Sequence, residues 1–456
     1  MIPVVTPAEM KAIDVAAPEP VEILIDRAGA AVARAALEML GGTYGRRVVV
    51  IAGAGNNGAD GRAAARRLAR RGVGVTVLDA RDPGPRVPRC DLIIDAAYGT
   101  GFHGTWQPPD AGDVPVLAVD IPSGVDGATG AVDGPVLTAV RTVTFAALKP
   151  GLLFPPGREF TGDVTVVDIG LDVSSARSHV VEASDVAAWV PARAVDSHKW
   201  RAAVWIIAGS PGMSGAAHLS SRAAQRAGAG MVRLSSPGLG ADPAAPTEVV
   251  GRPLPPARWS GDVLGDSDRF HAIVVGPGLG RADETATSVR ELVAKASLPV
   301  LVDGDGLFAL AWSSDGAGPV LRSRPAPAVL TPHDGEYRLL TGRRPPVDRI
   351  EATRQLAADL RCVLLLKGPI TVVAEPDGTT LLSATGDARL ATAGTGDVLS
   401  GIIGALLAQQ VAPVRAAAAG AWLHGETARH GVRRGLVAGD LPDLLPQVFA
   451  SLPPSM

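Results

Sequence analysis

Short apolar runs that stop at a glycine or an acid recur along this chain, and they leave few folds open. Val48-Val49-Val50-Ile51 runs straight into Gly53-Ala54-Gly55-Asn56-Asn57-Gly58-Ala59-Asp60-Gly61. The spacing predicts a helix over Arg62 to Arg71 and a strand from Val73 to Asp79. Four or five consecutive apolar residues bounded by turn chemistry read as a strand buried on both faces. A strand, glycine turn, helix and strand in that order make a parallel βαβ unit. Leu92-Ile93-Ile94-Asp95 then leads into Tyr98-Gly99-Thr100-Gly101-Phe102, and Val116-Leu117-Ala118-Val119-Asp120 into Ile121-Pro122-Ser123-Gly124. Ligands of open parallel sheets lie at the carboxyl ends of the strands, where Asn57, Asp95, Asp120 and Ser123 all fall. Any one of these acids also reads as a helix or turn cap. Asn56, Asn57 and Asp60 add polar side chains to a turn that a plain dinucleotide-binding loop leaves almost bare. Such groups hold sugar hydroxyls or a cation as well as phosphate. Asp79 ends its strand where a ribose-binding acid sits in a dinucleotide fold.

The second half repeats the pattern. Strands are expected at Ala203 to Ala208, Ala272 to Val275, Pro299 to Asp303, Ala328 to Leu330 and Val363 to Leu366. They end in Gly209-Ser210, Gly276-Pro277-Gly278-Leu279-Gly280, Gly304-Asp305-Gly306, Thr331-Pro332-His333-Asp334-Gly335-Glu336 and Lys367-Gly368-Pro369-Ile370-Thr371. The last motif is Gly394-Thr395-Gly396-Asp397, opening a helical stretch from Val398 to Gln409. Val398, Leu399, Ile402, Ile403, Leu406 and Leu407 recur at the spacing of one buried helix face. Two glycines let successive N–H groups turn toward one anion, and the helix start adds positive charge. Asp397 is either an ordinary N-cap or the base beside a transferring phosphoryl group. Phosphoryl transfer asks for little beyond positioning, charge neutralisation and such a base. His333 and Lys367 read equally as a structural histidine and a strand-end lysine, and Arg66-Arg67 with Arg70-Arg71 reads as a solvated helix face.

Two or three domains are expected of 456 residues. Leu171 to Asp196 has no long apolar period, so the junction is placed near residue 175, giving domains over 1–175 and 176–456. A net charge of −3 gives no reason to expect nucleic acid or an anionic membrane as partner. Two distant cysteines, Cys90 and Cys362, fit a reducing compartment and exclude a disulfide framework. With no basic segment before an apolar run and no spanning segment, a cytoplasmic protein is expected.

Gly55 to Gly61, Asp95 to Gly101 and Asp120-Ile121-Pro122-Ser123-Gly124 resemble the NAD(P)HX epimerase family, over about the first 172 residues. Phe145-Ala146-Ala147-Leu148-Lys149-Pro150-Gly151 and Gly162 to Gly170 resemble that family's last strands. The resemblance implies that Asp120 is the acid/base and that Asn57, Asp95 and Ser123 hold a potassium ion. It implies that Asn56, Asn57, Gly58, Ala59 and Asp60, with Gly99, Thr100, Gly101, Phe102 and on to Thr105, line the nucleotide. Ala59 departs from the family's usual glycine. From about 180 to 445, His198-Lys199, Gly209-Ser210, Gly276 to Gly280, Thr331 to Glu336, Lys367-Gly368 and Gly394 to Asp397 resemble the ribokinase-like NAD(P)HX dehydratases. Here the resemblance implies that Asp397 acts on the substrate hydroxyl, with Ala216, Gly278 and His333 lining the NAD(P)HX pocket. Lys367, Gly368, Pro369, Ile370, Thr371 and Gly396 would contact ADP, and Glu336 would orient a magnesium-bound water. Trp200-Arg201 and Phe308 depart from the pattern. The implied fold is α/β throughout, a Rossmann-like three-layer domain followed by a ribokinase-like one. The implied function is repair of NADHX and NADPHX, hydrated forms of NADH and NADPH, with K⁺, Mg²⁺ and ADP as helpers and a homo-oligomer as the expected state. A kinase of a small hydroxymethyl substrate is the alternative enzyme, and a binding scaffold without chemistry is the alternative class.

Overall fold

The computed structural model describes residues 1–240, 242 and 244–454; positions 455 and 456 of the expected second domain lie outside the described residues. The chain forms two compact units, Ile2–Ser178 and the segment from His179 onward, with Met1 grouped with the latter. Among the described residues no helix is long and apolar enough to cross a membrane.

In the first unit the apolar runs become β1 (Arg47–Ala52), β2 (Gly74–Asp79), β3 (Leu92–Ala96), β4 (Val116–Val119), β5 (Arg141–Phe145) and β6 (Asp163–Val167). They form one parallel sheet in the order β2-β1-β3-β4-β5-β6. β1, β3 and β4 are central and almost wholly buried, while β2 lies at an edge and has no fully buried residue. Helices α1 (Pro7–Ala16), α2 (Val21–Leu40) and α3 (Asn56–Arg70) complete the layers. α1 begins with a capping box in which Thr6 and Glu9 satisfy each other's backbone N–H. α3 starts six residues earlier than the spacing predicts. Asn56, Asn57 and Asp60 therefore sit on its first turns instead of in an irregular loop. Position 59 is helical, where alanine is preferred over glycine, so that departure from the family pattern suits the local structure. Asp79 is exposed, and its carboxylate accepts from the backbone of Arg81 at 2.9 Å.

The second unit is built on a larger sheet. Its strands are β7 (Ala203–Ile207), β8 (Met231–Ser235), β9 (Val250–Gly251), β10 (Ala272–Val275), β11 (Val300–Val302), β12 (Ala328–Leu330), β13 (Val363–Leu366), β14 (Thr371–Ala374) and β15 (Thr380–Ser383). They run in the order β15-β14-β13-β12-β11-β10-β7-β8-β9. Pairings from β13 across to β9 are parallel, and β13-β14-β15 are antiparallel. The five expected strands are present. β8, β9 and the β14–β15 hairpin are additional; β8 is interrupted by Arg233, and the hairpin is too short and mixed for a clear period. Thr371, expected in a nucleotide-binding loop, opens β14.

Of the helices, α4 (Ser214–Arg226), α5 (Asp334–Thr341), α6 (Thr395–Ala408) and α7 (Pro413–His430) frame the strand ends. α6 is buried on all sides, not along one face as its period suggests: every residue from Val398 to Ala408 is buried. It starts at Thr395 with Gly394 as N-cap, in the left-handed region at φ 92°. Asp397 is thus the third helical residue and not the cap. Ser220 of α4 donates to the Asp397 backbone carbonyl at 3.0 Å. Gly401 of α6 lies against the Ser220 carbonyl so closely that a Cβ there would collide with it. Gly401→Ala should therefore push α4 from α6 and lower the stability of the second unit by about 1–3 kcal/mol, measured by urea denaturation.

Candidate active sites

The carboxyl ends of β1, β3 and β4 in the first unit open onto a cavity of about 820 Å³, within the range of cofactor sites. Asn56, Asn57 and Asp60 line it from α3; Gly99, Thr100, Gly101 and Phe102 line it from the loop after β3; and Asp120 lines it from the end of β4. Gly58, Ala59 and Thr105 are not in its wall, and neither is Asp79. Asp120 is a non-glycine residue at φ 67°, a backbone state found mostly where surrounding structure enforces it. Its Oδ1 is 2.7 Å from the Lys149 Nζ and accepts from the Thr144 hydroxyl at 3.1 Å. Lys149 is 1% exposed and donates also to Thr144 Oγ1 at 2.8 Å and to the Phe145 carbonyl at 2.9 Å. The other carboxylate oxygen is turned toward Gly99, where a Cβ would stand 3.4 Å from it.

Asp60 is the opposite kind of carboxyl. Burial, then the charges of Asp120 and Asp14, push it up to about 8. Asp14 is itself raised, by burial first and Asp120 second. The Asp120–Lys149 contact thus shares the cavity with an acid, Asp60, that keeps its proton at neutral pH. Environments that separate two carboxyls in this way divide acid from base.

Below the same strand ends, Asp95 is fully buried, and burial raises its pKa against hydrogen bonds from Ser123 and Ala97. Ser123 donates from its hydroxyl to Oδ1 at 2.6 Å and from its backbone to Oδ2 at 2.9 Å. The side-chain amide of Asn57 is buried, and neither its oxygen nor its nitrogen has a partner. Buried polar atoms are nearly always satisfied. An oxygen donor set with one uncompensated carboxylate and one orphaned amide fits a hard cation.

In the second unit, the site forms around a buried ion pair. Lys367 Nζ at the end of β13 is 2.6 Å from Asp303 Oδ1 at the end of β11. Asp303 also accepts from Thr331 Oγ1 at 2.8 Å and from Ser400 Oγ of α6 at 2.6 Å. Burial pushes Asp303 upward, but Lys367 and the two hydroxyls outweigh it and its net shift is down. Burial pulls Lys367 down, yet Asp303 and Glu336 hold it above its ordinary value. Glu336 lies 4.0 Å from that ammonium and is raised, chiefly by burial. A Cβ on Gly396 would stand 3.4 Å from Lys367 Nζ, so the glycine turn and the ammonium face the same space. Asp397 is raised to about 6 by burial and by Asp303, against the pull of Lys367.

The remaining residues named from sequence fall around this centre. Gly278, at φ 60°, packs against Ala216 of α4, and its carbonyl accepts from Ser210 at 2.8 Å. His333 is the N-cap of α5; its Nδ1 accepts from the backbones of Gly335 and Glu336, and Glu336 returns the bond at 2.8 Å. Ile370 is buried, while Gly368 lies against the Arg349 guanidinium, which donates to the Lys367 carbonyl at 2.7 Å. Trp200 is half-buried beneath the Arg269 guanidinium, 3.8 Å from its ring centre, and Phe308 stacks on Trp312 below Arg281. Arg201 is exposed.

Sequence reasoning gave no role to Lys149, Thr144, Asp303 or Ser400. One signal was available for the lysines. Only five of the 43 basic residues are lysine, and two of those five stand at strand ends beside an aspartate of a site.

A family model described as NAD(P)H-hydrate dehydratase matches residues 204–449, and one described as YjeF-related protein N-terminus matches residues 21–90 and 79–151. The chain is 37% identical to the bifunctional NAD(P)H-hydrate repair enzyme Nnr of Moorella thermoacetica, over 98% of this chain and 97% of the relative. It is 34% identical to the Escherichia coli enzyme of the same name, over 88% of this chain and 85% of that one. Among solved structures, the ADP/ATP-dependent NAD(P)H-hydrate dehydratase of Bacillus subtilis, co-crystallised with ATP and Mg²⁺, is 31% identical with a TM-score of 0.51. That match covers 60% of this chain and 98% of the other.

Two outcomes follow from the electrostatics. Lys367→Met leaves Asp303 as a buried, uncompensated charge, so the second unit should lose about 3–5 kcal/mol in urea denaturation. Asp60 has a folded-state pKa far above that of an unfolded aspartate. The stability tied to its proton is complete below about pH 4 and is lost as pH rises through about 8. Asp60→Asn should flatten the decline in thermal stability of the first unit between about pH 4 and pH 8.

Proposed function

The chain belongs to the bifunctional NAD(P)H-hydrate repair enzymes, and from that premise we propose how its two units share the work. The enzyme interconverts the R and S epimers of NAD(P)HX and dehydrates the S form to NAD(P)H at the expense of a nucleotide. Family membership displaces the small-alcohol kinase and the inert scaffold.

The first unit is the epimerase in this reading. The hydrate carries its hydroxyl on the carbon bonded to the ring nitrogen. Asp120 takes the hydroxyl proton, the carbon–nitrogen bond breaks to give an aldehyde, and Asp60 protonates the released nitrogen. Closure onto the other face returns both protons and inverts the carbon. Lys149 and Thr144 fix the Asp120 carboxylate with one oxygen free for this exchange. Asn57, Asp95 and Ser123 would hold K⁺, whose positive charge would offset the buried Asp95 and hold the α3 start against the loop after β3. The orphaned Asn57 amide supports that assignment.

The second unit is the dehydratase. Asp397 takes the hydroxyl proton while that oxygen attacks the terminal phosphoryl group of ADP, and AMP leaves. The ring nitrogen then expels phosphate, and loss of a proton from the adjacent carbon restores the ring double bond. Gly394 to Gly396 and Lys367 would hold the transferred group, with Gly368, Pro369, Ile370 and Thr371 along the rest of the nucleotide. Ala216, Gly278 and His333 would line the NAD(P)HX pocket. Mg²⁺ needs only one or two carboxylates beside the phosphates; Glu336 would hold one of its waters, and the ion would neutralise charge on the transferring group. A cytoplasmic setting and a homo-oligomeric state belong to the same reading. The observation that carries it is the pairing of an unspent Asp397 with Lys367 and a glycine turn at one helix start.

Recovery of absorbance at 340 nm from mixed NADHX epimers, with K⁺, Mg²⁺ and either ADP or ATP, tests the whole. Asp120→Asn should slow epimerisation by about 10²–10⁴-fold and leave dehydration of the S epimer intact; Asp397→Asn should do the reverse. Equal loss of both activities in either variant would overturn the division. Because Asp397 must be ionised to accept a proton, kcat/KM for dehydration should rise as pH passes about 6.

A further inference from the structure

Away from the active-site cavity, the first unit has a second hollow of about 430 Å³ between the later turns of α2 and the end of α3. Arg34 of α2 and Arg67, Arg70 and Arg71 at the end of α3 face it over a floor that includes Ala33 and Leu37, and its lining contains no acid. Arg67 donates to Asp26 Oδ2 at 2.6 Å, which fixes its guanidinium, but its Nε is buried and has no acceptor. Among the described residues, Arg34, Arg70 and Arg71 make no ion pair, and all three are exposed. A basic residue in the last turn of a helix is favoured by the helix dipole, which accounts for part of this arrangement. It does not account for Arg34 in the body of α2, for the hollow, or for a buried donor left without a partner.

We propose that this hollow is a binding site for a small polyphosphate anion, distinct from both catalytic sites. Guanidinium forks match phosphate oxygens in paired hydrogen bonds. Three unpaired guanidiniums ask for more charge than one phosphate ester supplies. The apolar patch of Ala33 and Leu37 adds no acceptor of its own, and Asp26 engages Arg67 alone. Inorganic pyrophosphate and the diphosphate of a nucleotide present the same chemistry, and the hollow has room for either. The first turns of the same two helices, about 15 Å away at 1.5 Å per residue, line the active-site cavity through Leu24, Asn57 and Asp60.

The test is isothermal titration of the full chain with inorganic pyrophosphate, and separately with ADP, at two ionic strengths. The wild type should show a pyrophosphate site that weakens with salt and becomes at least tenfold weaker in R34Q/R70Q/R71Q. Those side chains are exposed, so the triple variant should fold, and it should epimerise and dehydrate like the wild type. Arg67→Lys keeps a charge for Asp26 but removes the fork, and should also weaken binding. If ADP shows an extra site lost in the triple variant, the natural ligand is a nucleotide; if only pyrophosphate does, it is the free anion. Identical isotherms for wild type and triple variant, or no pyrophosphate binding to the wild type, would overturn the proposal. So would variant-sensitive binding to anionic vesicles or to DNA in the absence of any to pyrophosphate, which would mark a macromolecular surface instead.

Discussion

The Lys367–Asp303 pair is the contact around which the second unit's strand-end site is built. A carboxylate as buried as Asp303 is costly unless a charge and hydrogen bonds compensate it. Here one ammonium and two hydroxyls do so, at 2.6–2.8 Å. Each partner comes from a different element: Lys367 from the end of β13, Thr331 from the end of β12 and Ser400 from α6. The pair therefore fixes where α6 begins relative to the strand ends. It also sets the field at Asp397, raised by burial and by Asp303 and drawn back by Lys367. One electrostatic knot thus positions the glycine turn and sets the state of the carboxyl proposed as the base.

The first unit solves a similar problem with the signs distributed differently. Lys149 is almost fully buried, and its ammonium is satisfied by Asp120, Thr144 and the Phe145 carbonyl. Among the described residues, neither Asp60 nor Asp95 makes an ion pair. For Asp60 the consequence is a proton retained at neutral pH, in line with the acid role proposed for it. For Asp95, two hydrogen bonds from Ser123 and one from Ala97 reduce the burial penalty without cancelling it. The vacant hydrogen-bonding capacity of Asn57 lies on the neighbouring helix start. A bound cation would answer both deficits at once.

How much of this was legible in the sequence follows from which interactions are local. Strands such as Val48 to Ile51 and Val363 to Leu366 declare themselves because parallel strands buried on both faces are continuous apolar runs. The turns after them are legible because glycine and acid stand together at their ends. The start of α3 was not, because Gly58 and Gly61 read as a loop while the helix uses them for close approach, Gly58 to the turn at Gly53 and Gly61 to Ala96 and Val50 of the strands. Nor was the full burial of α6, since alanine and glycine at positions 401, 404, 405 and 408 carry no strong period yet pack as tightly as the leucines. Asp303 lay in a run already read as a strand end. Its importance is visible only when Lys367, 64 positions later, arrives beside it.

The two sites also differ in what they ask of a strand end, and this explains why neither motif would serve for the other. The proposed epimerisation uses a base and an acid on the same ring, and the first unit offers Asp120 held by Lys149 and an Asp60 that keeps its proton, around one roomy cavity. Phosphoryl transfer needs an anion cradle with little else in reach. The second unit therefore gives Asp397 no capping duty, passing that position to Gly394 at φ 92°. An aspartate one turn earlier would have been consumed by backbone N–H groups. At the third position it keeps its oxygens free beside Lys367, at the positive end of α6, where an arriving hydroxyl and phosphate would meet.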